Sequence, residues 1–124
     1  MFPVYLKEVG ASAFEDCEHL RNVQLNESLE KLGQKEIVND TEYEGNVFAN
    51  CAIEDIKIPF SLKRVEARTC KDCKHLANIE LQNGVDYLGD KCFQSCAIEQ
   101  ITLPHTLKKV EESAFGHCDK LRVI

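Results

Sequence analysis

A short internal repeat is the feature that most constrains how this 124-residue chain can fold. Each of five copies has an aromatic residue or cysteine, two further residues, a cysteine, and then apolar residues spaced apolar-x-x-apolar-x-apolar. Successive copies are 22 or 23 residues apart, except where an 11-residue insertion separates the first from the second. The repeat cysteines are Cys17, Cys51, Cys73, Cys96 and Cys118. Units this short bury their apolar side only by stacking on one another.

Alternating apolar and polar residues predict one short β-strand in each copy. The segments concerned are NVQL, DIKI, NIEL and QITL. A second extended piece follows, as in SLKRV and TLKKV, and then a short helical turn, as in SAFEDC and SAFGHC. Ser12 and Ser113 are expected to cap these helical turns. Stacked copies would place their strands side by side in a parallel sheet along one face.

The pattern AFxxC, followed at fixed spacing by L, I, LP, L and V, resembles the BspA-like class of leucine-rich repeats over essentially the whole chain. It departs from that class at Cys70, where the aromatic residue should stand. The resemblance implies an α/β repeat solenoid. This would be a leucine-rich-repeat horseshoe with a parallel sheet on the concave face, and short helical turns and extended segments elsewhere. It also implies binding to other macromolecules, often on secreted or cell-surface proteins, and no catalytic residue.

The repeat runs from one end of the chain to the other. Residues 1–124 are therefore predicted to form a single solenoid, with a loop insertion at about 34–46. Phe2 and Pro3 are in phase with Ile58 and Pro59, and Ile124 is in phase with the strands. No polar capping repeat is evident, so we expect a fragment of a longer array, or end-to-end self-association through uncapped ends. No signal peptide is visible in the first residues.

The charge of the chain excludes some classes of partner. A net charge of −6 argues against a nucleic-acid partner, because phosphates require clustered Lys and Arg. No apolar run approaches the roughly 18 residues needed to cross a bilayer, so membrane insertion is not expected.

Seven cysteines raise the question of a metal or redox site. All seven occupy positions that are apolar in sister copies, which predicts buried small hydrophobic side chains and no cofactor. The alternative is a zinc or thiol site that two cysteine pairs from adjacent copies would form. Its residues would be Cys70, Cys73, Cys92 and Cys96.

Polar residues between the strand hydrophobics should face outward from the sheet and form two ladders. One ladder is Asn22, Asp55, Asn78 and Gln100, and the other is Gln24, Lys57, Glu80 and Thr102. We expect these residues to bind a protein or other macromolecular ligand on the concave face. No Ser-His-Asp pattern emerges, so the chain is not expected to be an enzyme.

The insertion supplies a second candidate contact, because long loops on compact scaffolds are often functional. It is predicted to be a polar, acidic loop whose contact residues are Asp40, Glu42, Tyr43 and Glu44. Three functions therefore remain open: an interaction module, a scaffold for a zinc or thiol site, and a structural spacer in a larger surface protein.

Overall fold

The structure, a computed structural model, describes residues 7–122. Phe2, Pro3 and Ile124, on which the prediction about the chain ends rests, lie outside the described residues. The strands in this range are β1 (Glu8–Val9), β2 (Lys31–Leu32), β3 (Glu36–Val38), β4 (Thr41–Tyr43), β5 (Asp55–Ile58), β6 (Arg64–Val65), β7 (Asn78–Leu81), β8 (Tyr87–Leu88) and β9 (Lys109–Val110).

Parallel pairing between repeats arranges most strands in two columns. In the first column β5 pairs with β7, with Asp55 opposite Asn78 and Ile58 opposite Leu81. An isolated parallel bridge from Asn22 to Asp55 extends this column into the first copy. In the second column β1 pairs with β2, and β8 lies between β6 and β9. Within the described residues, each of the first four repeats thus contributes one segment to each column.

The predicted strands form fully only in the middle of the first column. DIKI and NIEL are β5 and β7, whereas NVQL is reduced to the bridge at Asn22 and QITL to a bridge at Gln100. An outer segment has a described neighbour strand on one side only, so its hydrogen-bond ladder is not held from both sides.

The predicted helical turns are wrong, because residues 7–122 contain no helix. Each turn instead has two non-glycine residues with positive φ, four positions apart. These are Ser12 and Asp16, Asn46 and Asn50, Arg68 and Asp72, Lys91 and Ser95, and Ser113 and His117. Left-handed residues interrupt a right-handed helix. Ser12 and Ser113 have φ of 58° and 68°, whereas a helix N-cap requires the β region.

The turns are held by hydrogen bonds to the next repeat, which alternate with bonds inside each turn such as Cys51 N to Phe48 O. The amide of the aromatic position in each turn donates to a carbonyl in the following turn. These bonds run from Phe14 N to Val47 O, from Phe48 N to Thr69 O, from Cys70 N to Cys92 O and from Phe93 N to Ala114 O, at 2.7–2.9 Å. Every second amide therefore points along the solenoid, which a helix does not permit.

The core lies between the two columns and the turns. Its largest fully buried side chains include Phe48 and Phe93, together with leucines, isoleucines and valines of the first four repeats. Phe48 stacks on Phe14 at 5.6 Å between ring centroids, and Phe93 stacks on Phe115 at 5.9 Å. Cys70 occupies the position between these two stacks. No helix among the described residues is long and apolar enough to cross a membrane.

The insertion contains secondary structure that was not predicted. β3 and β4 pair in antiparallel fashion, with Glu36 opposite Tyr43 and Val38 opposite Thr41. Their two-residue connection has φ of 49° at Asn39 and 65° at Asp40, as a type I′ hairpin turn requires. We call residues 35–44 the insertion hairpin.

Gly45 is where the insertion hairpin rejoins the solenoid, and we predict that Gly45→Ala destabilises the fold. Its φ is +69°, and a Cβ there would overlap the Ala67 carbonyl oxygen. Left-handed strain and backbone overlap together should cost about 3 kcal/mol of unfolding free energy. Gly10→Ala is the control, because a Cβ at Gly10 meets only Glu36 Oε1 at 3.5 Å. Urea unfolding of both variants measures the difference, and equal stabilities would contradict the prediction.

Candidate functional site

The middle rungs of both predicted polar ladders lie side by side on β5 and β7. Asp55 is opposite Asn78, and Lys57 is opposite Glu80, because these strands pair in parallel and in register. The side chain of Ile56, which lies between Asp55 and Lys57 in the sequence, is directed into the core. We call this outward surface of β5 and β7, together with Gln100 and Thr102 of the same ladders, the groove face.

Each middle rung is joined by a polar interaction between its two side chains. Asn78 Nδ2 donates to Asp55 Oδ1 at 2.7 Å. Lys57 Nζ lies 3.8 Å from Glu80 Oε2, and both side chains are more than half exposed, at 56% and 65%. Exposed pairs of this kind contribute about 0–1 kcal/mol. A ligand could therefore exchange them for its own hydrogen bonds at little cost.

The groove face is an open depression of about 1210 Å³. Six of the eight predicted ligand-binding residues line it: Asp55, Lys57, Asn78, Glu80, Gln100 and Thr102. Asn22 and Gln24 are exposed but are not part of its lining. Glu99 and Arg122, which sequence reasoning did not single out, also line it and form an ion pair at 2.9 Å. The depression offers hydrogen-bonding groups and both signs of charge.

The insertion hairpin is a separate surface, since none of its residues lines the groove face. Asp40, Glu42 and Tyr43 are exposed, and Glu44 is half-buried at the base. The Glu44 carbonyl accepts hydrogen bonds from Asn46 Nδ2 and Arg68 Nη2, each at 3.3 Å. The signal that predicts a hairpin is the pair Asn39-Asp40, two residues that tolerate positive φ, between β-branched and aromatic residues.

The repeat cysteines are hydrogen-bond donors as well as core side chains. Four of the five repeat thiols donate to the carbonyl oxygen of the aromatic position in the preceding repeat. The donors and acceptors are Cys51 to Phe14 at 3.0 Å, Cys73 to Phe48 at 3.0 Å, Cys96 to Cys70 at 3.4 Å and Cys118 to Phe93 at 3.1 Å. The row therefore links adjacent turns through side chains.

The zinc alternative is not supported by the arrangement of the cysteines. Within the part of the chain that the structure describes, no group of three or more His, Cys, Asp or Glu side chains could hold a metal ion. Cys70, Cys73, Cys92 and Cys96 are all buried in the core instead. Thiols that donate to backbone carbonyls are protonated, whereas zinc binds thiolates.

Burial also makes these thiols poor nucleophiles. It raises the pKa of the Cys51 thiol to about 11, and it raises the pKa of the Cys92 and Cys96 thiols further. A hydrogen bond to Cys73, together with burial, raises the pKa of Cys70 well above its usual range. The same hydrogen bond from Cys70 lowers the pKa of the Cys73 thiol, but this side chain is fully buried. The thiolate is the reactive form of cysteine, so Cys51, Cys70, Cys92 and Cys96 are unsuited to thiol chemistry at neutral pH, and burial shields Cys73 from reagents.

A further polar cluster on the second column was not identified from the sequence. Glu66, only 3% exposed, accepts two hydrogen bonds from Arg64, at 2.9 and 3.3 Å. Arg64 lies 4.0 Å from the centre of the Tyr87 ring, and Tyr87 Oη donates to Glu111 Oε2 at 2.9 Å. The repeated Val-Glu pair at 65–66 and 110–111 is the sequence signal for it. Because its strongest contacts are internal, the cluster joins β6, β8 and β9.

Comparison with known proteins gives a family match and a structural match. Residues 41–124, about two thirds of the chain, match the family model described as BspA type leucine rich repeat region (6 copies). The structure is similar to the crystal structure of a leucine-rich repeat protein from Bacteroides ovatus ATCC 8483, with a TM-score of 0.85 and 23% identity. The similarity covers 98% of this chain and 29% of that protein. No curated protein matches the chain.

We predict that native-state alkylation separates the cysteines into two groups. With iodoacetamide at pH 8, the half-buried Cys17 and Cys118 should react first. The five buried thiols should react about 100-fold more slowly than in urea, because the fold covers them. Mass spectrometry of peptides measures the rates, with the urea-unfolded chain as control. Labelling of Cys70 or Cys73 as fast as Cys17 would instead indicate an accessible, reactive thiol pair.

Proposed function

Because this chain belongs to the family of BspA type leucine-rich repeats, we propose that it is a non-enzymatic module that binds a protein or other macromolecule through the groove face. Proteins of the leucine-rich repeat family generally mediate protein interaction. The observation that carries the proposal is the in-register pairing of polar rungs on β5 and β7, which gathers Asp55, Lys57, Asn78 and Glu80 on one exposed surface.

The shape of the groove face supports a large ligand rather than a small molecule. Its volume of about 1210 Å³ is open to solvent along the strands. Small-molecule sites are more enclosed and mostly apolar, at about 300–1,000 Å³. A polypeptide or another polar polymer can instead lie across several rungs and contact one polar pair on each.

The chemistry of the groove face favours specificity over high affinity. Its polar groups alternate in charge, and no aromatic side chain lines it. Tyr and Trp are the usual hot-spot residues of tight interfaces. The ligand would therefore be selected by hydrogen bonds and charge pairs at successive rungs. The insertion hairpin, with Asp40, Glu42, Tyr43 and Glu44, is the second contact surface in this proposal.

Lys57→Ala/Glu80→Ala tests the groove face. The double variant removes both partners of one exposed rung and leaves the net charge unchanged, so folding should be unaffected. We expect ligands of the groove to bind about tenfold more weakly. The two lost side chains should together remove roughly 1.4 kcal/mol of binding free energy. The measurement is biolayer interferometry on every ligand that the parent chain binds on a protein array and a polysaccharide array.

The matched control is Lys120→Ala/Glu112→Ala, which removes the same two side-chain types from exposed positions outside the groove. It should bind as the parent chain does. If both double variants bind all ligands equally well, the groove face is not the binding surface. A parent chain that binds nothing on either array would favour a structural spacer.

A further inference from the structure

Three of the five exposed large hydrophobic residues among positions 7–122 lie in the insertion hairpin. Ile37, Val38 and Tyr43 are 68%, 49% and 43% exposed. The other exposed large hydrophobic residues among positions 7–122, Phe60 and Val110, lie in different repeats. All six residues of β3 and β4 are exposed, so both faces of this two-stranded ribbon meet solvent. An isolated two-stranded hairpin is only marginally stable in water.

One edge of the insertion hairpin is an unpaired strand. No third strand pairs with β3 or β4 anywhere in residues 7–122. In a hairpin closed by a two-residue turn, Val38 and Thr41 exchange both backbone hydrogen bonds, and the next pair, Ile37 and Glu42, does not. The amide and carbonyl of Glu42 therefore point away from β3. Such an edge is a template for another extended chain.

The charged side chains of β4 determine which kind of polypeptide strand can pair with its free edge. Residues 35–44 carry four acidic side chains and only one basic side chain, Lys35. Lys35 lies 3.1 Å from Glu42 on the same face of the ribbon, and Thr41 and Tyr43 are on the other face. β4 thus presents carboxylates on one face and a hydroxyl and an aromatic ring on the other.

We propose that the β4 edge binds an extended, basic polypeptide segment as a third strand. Lys or Arg at every second position would lie beside Glu42 and Glu44, and β-branched residues between them would pack on Thr41 and Tyr43. Cross-strand pairs of opposite charge, and pairs of aromatic with β-branched residues, are favourable. Addition of a strand to an exposed edge is an established mode of peptide recognition.

A second copy of the chain fits this edge poorly. Pairing of β4 with β4 of another copy would bring two acidic hairpins together and place Glu42 near Glu42. Like charges directly opposite each other in a sheet are destabilising. The partner is therefore of opposite charge to the hairpin. This inference rests on the proposed function only in taking the insertion hairpin as a contact surface.

The probe is a capped eight-residue peptide that alternates Lys and Val, titrated into the ¹⁵N-labelled chain. The Glu42 amide should move and gain protection from hydrogen exchange, because it becomes hydrogen-bonded. The Ile37 amide, on the opposite edge, should not. A peptide of the same composition in two blocks, four Lys then four Val, should bind at least about fivefold more weakly. Shifts confined to Ile37, or equal binding of both peptides, would overturn the proposal.

Two N-methylated peptides separate strand addition from simple charge attraction. One carries N-methyl groups on the Lys amides and the other on the Val amides. Only one set of amides faces β4, so only one of the two should lose binding. Equal retention by both would show that the backbone is not used, and the proposal would fail.

Charge reversal identifies the surface. Glu42→Lys/Glu44→Lys should weaken binding of the alternating peptide about tenfold or more. Glu18→Lys/Glu112→Lys, which makes the same change in net charge at exposed positions elsewhere, should weaken it far less.

Lys57→Ala/Glu80→Ala should bind the peptide normally. Loss of binding in this groove variant alone would place the peptide in the groove and overturn the hairpin proposal while supporting the proposed function. A peptide that binds no form of the chain would overturn the hairpin proposal alone.

Discussion

Hydrogen bonds between consecutive turns are the interaction on which the rest of this structure depends. Each turn directs every second amide into the next repeat, as from Phe14 N to Val47 O, and two left-handed residues make this possible. These bonds set the position of every repeat relative to its neighbour. The two strand columns are therefore in register, although most of their strands are only two residues long.

The repeat cysteine strengthens the same contact. The carbonyl of Phe48 accepts the Cys51 amide within its own turn at 3.2 Å and the Cys73 thiol of the next repeat at 3.0 Å. A carbonyl oxygen has two lone pairs, so both are used. A side chain at this position has to be small, tolerate burial and donate one weak hydrogen bond, and cysteine meets all three requirements. The recurrence of cysteine thus has a packing cause, and it needs neither a metal nor a redox reaction.

The register also explains why the chain has two different candidate surfaces. On the groove face, side chains from successive repeats are brought into rows, so the surface is regular and polar. The insertion hairpin lies outside the repeat register. It leaves the solenoid at Gly33 and rejoins it at Gly45, and the Gly45 amide donates to the Gly33 carbonyl at 2.7 Å. The turns and the first column continue across the insertion, through Phe14 N to Val47 O and the bridge from Asn22 to Asp55, whereas the second column is interrupted between β2 and β6. An unpaired edge of the hairpin is left in solvent.

The sequence by itself determined the repeat period, the family, the core positions and the pairing of Asp55 with Asn78 and of Lys57 with Glu80. Apolar spacing carries this information, because from the second copy onward one period is repeated without a long insertion and permits one register only. Only the tertiary structure decided that the turns are not helical, since every second amide bonds instead to the next repeat, as from Phe48 N to Thr69 O. It likewise decided the burial of Glu66 beside Arg64, because the surrounding repeats cover that side chain, and the donor role of the thiols, because their acceptors lie in the preceding repeat.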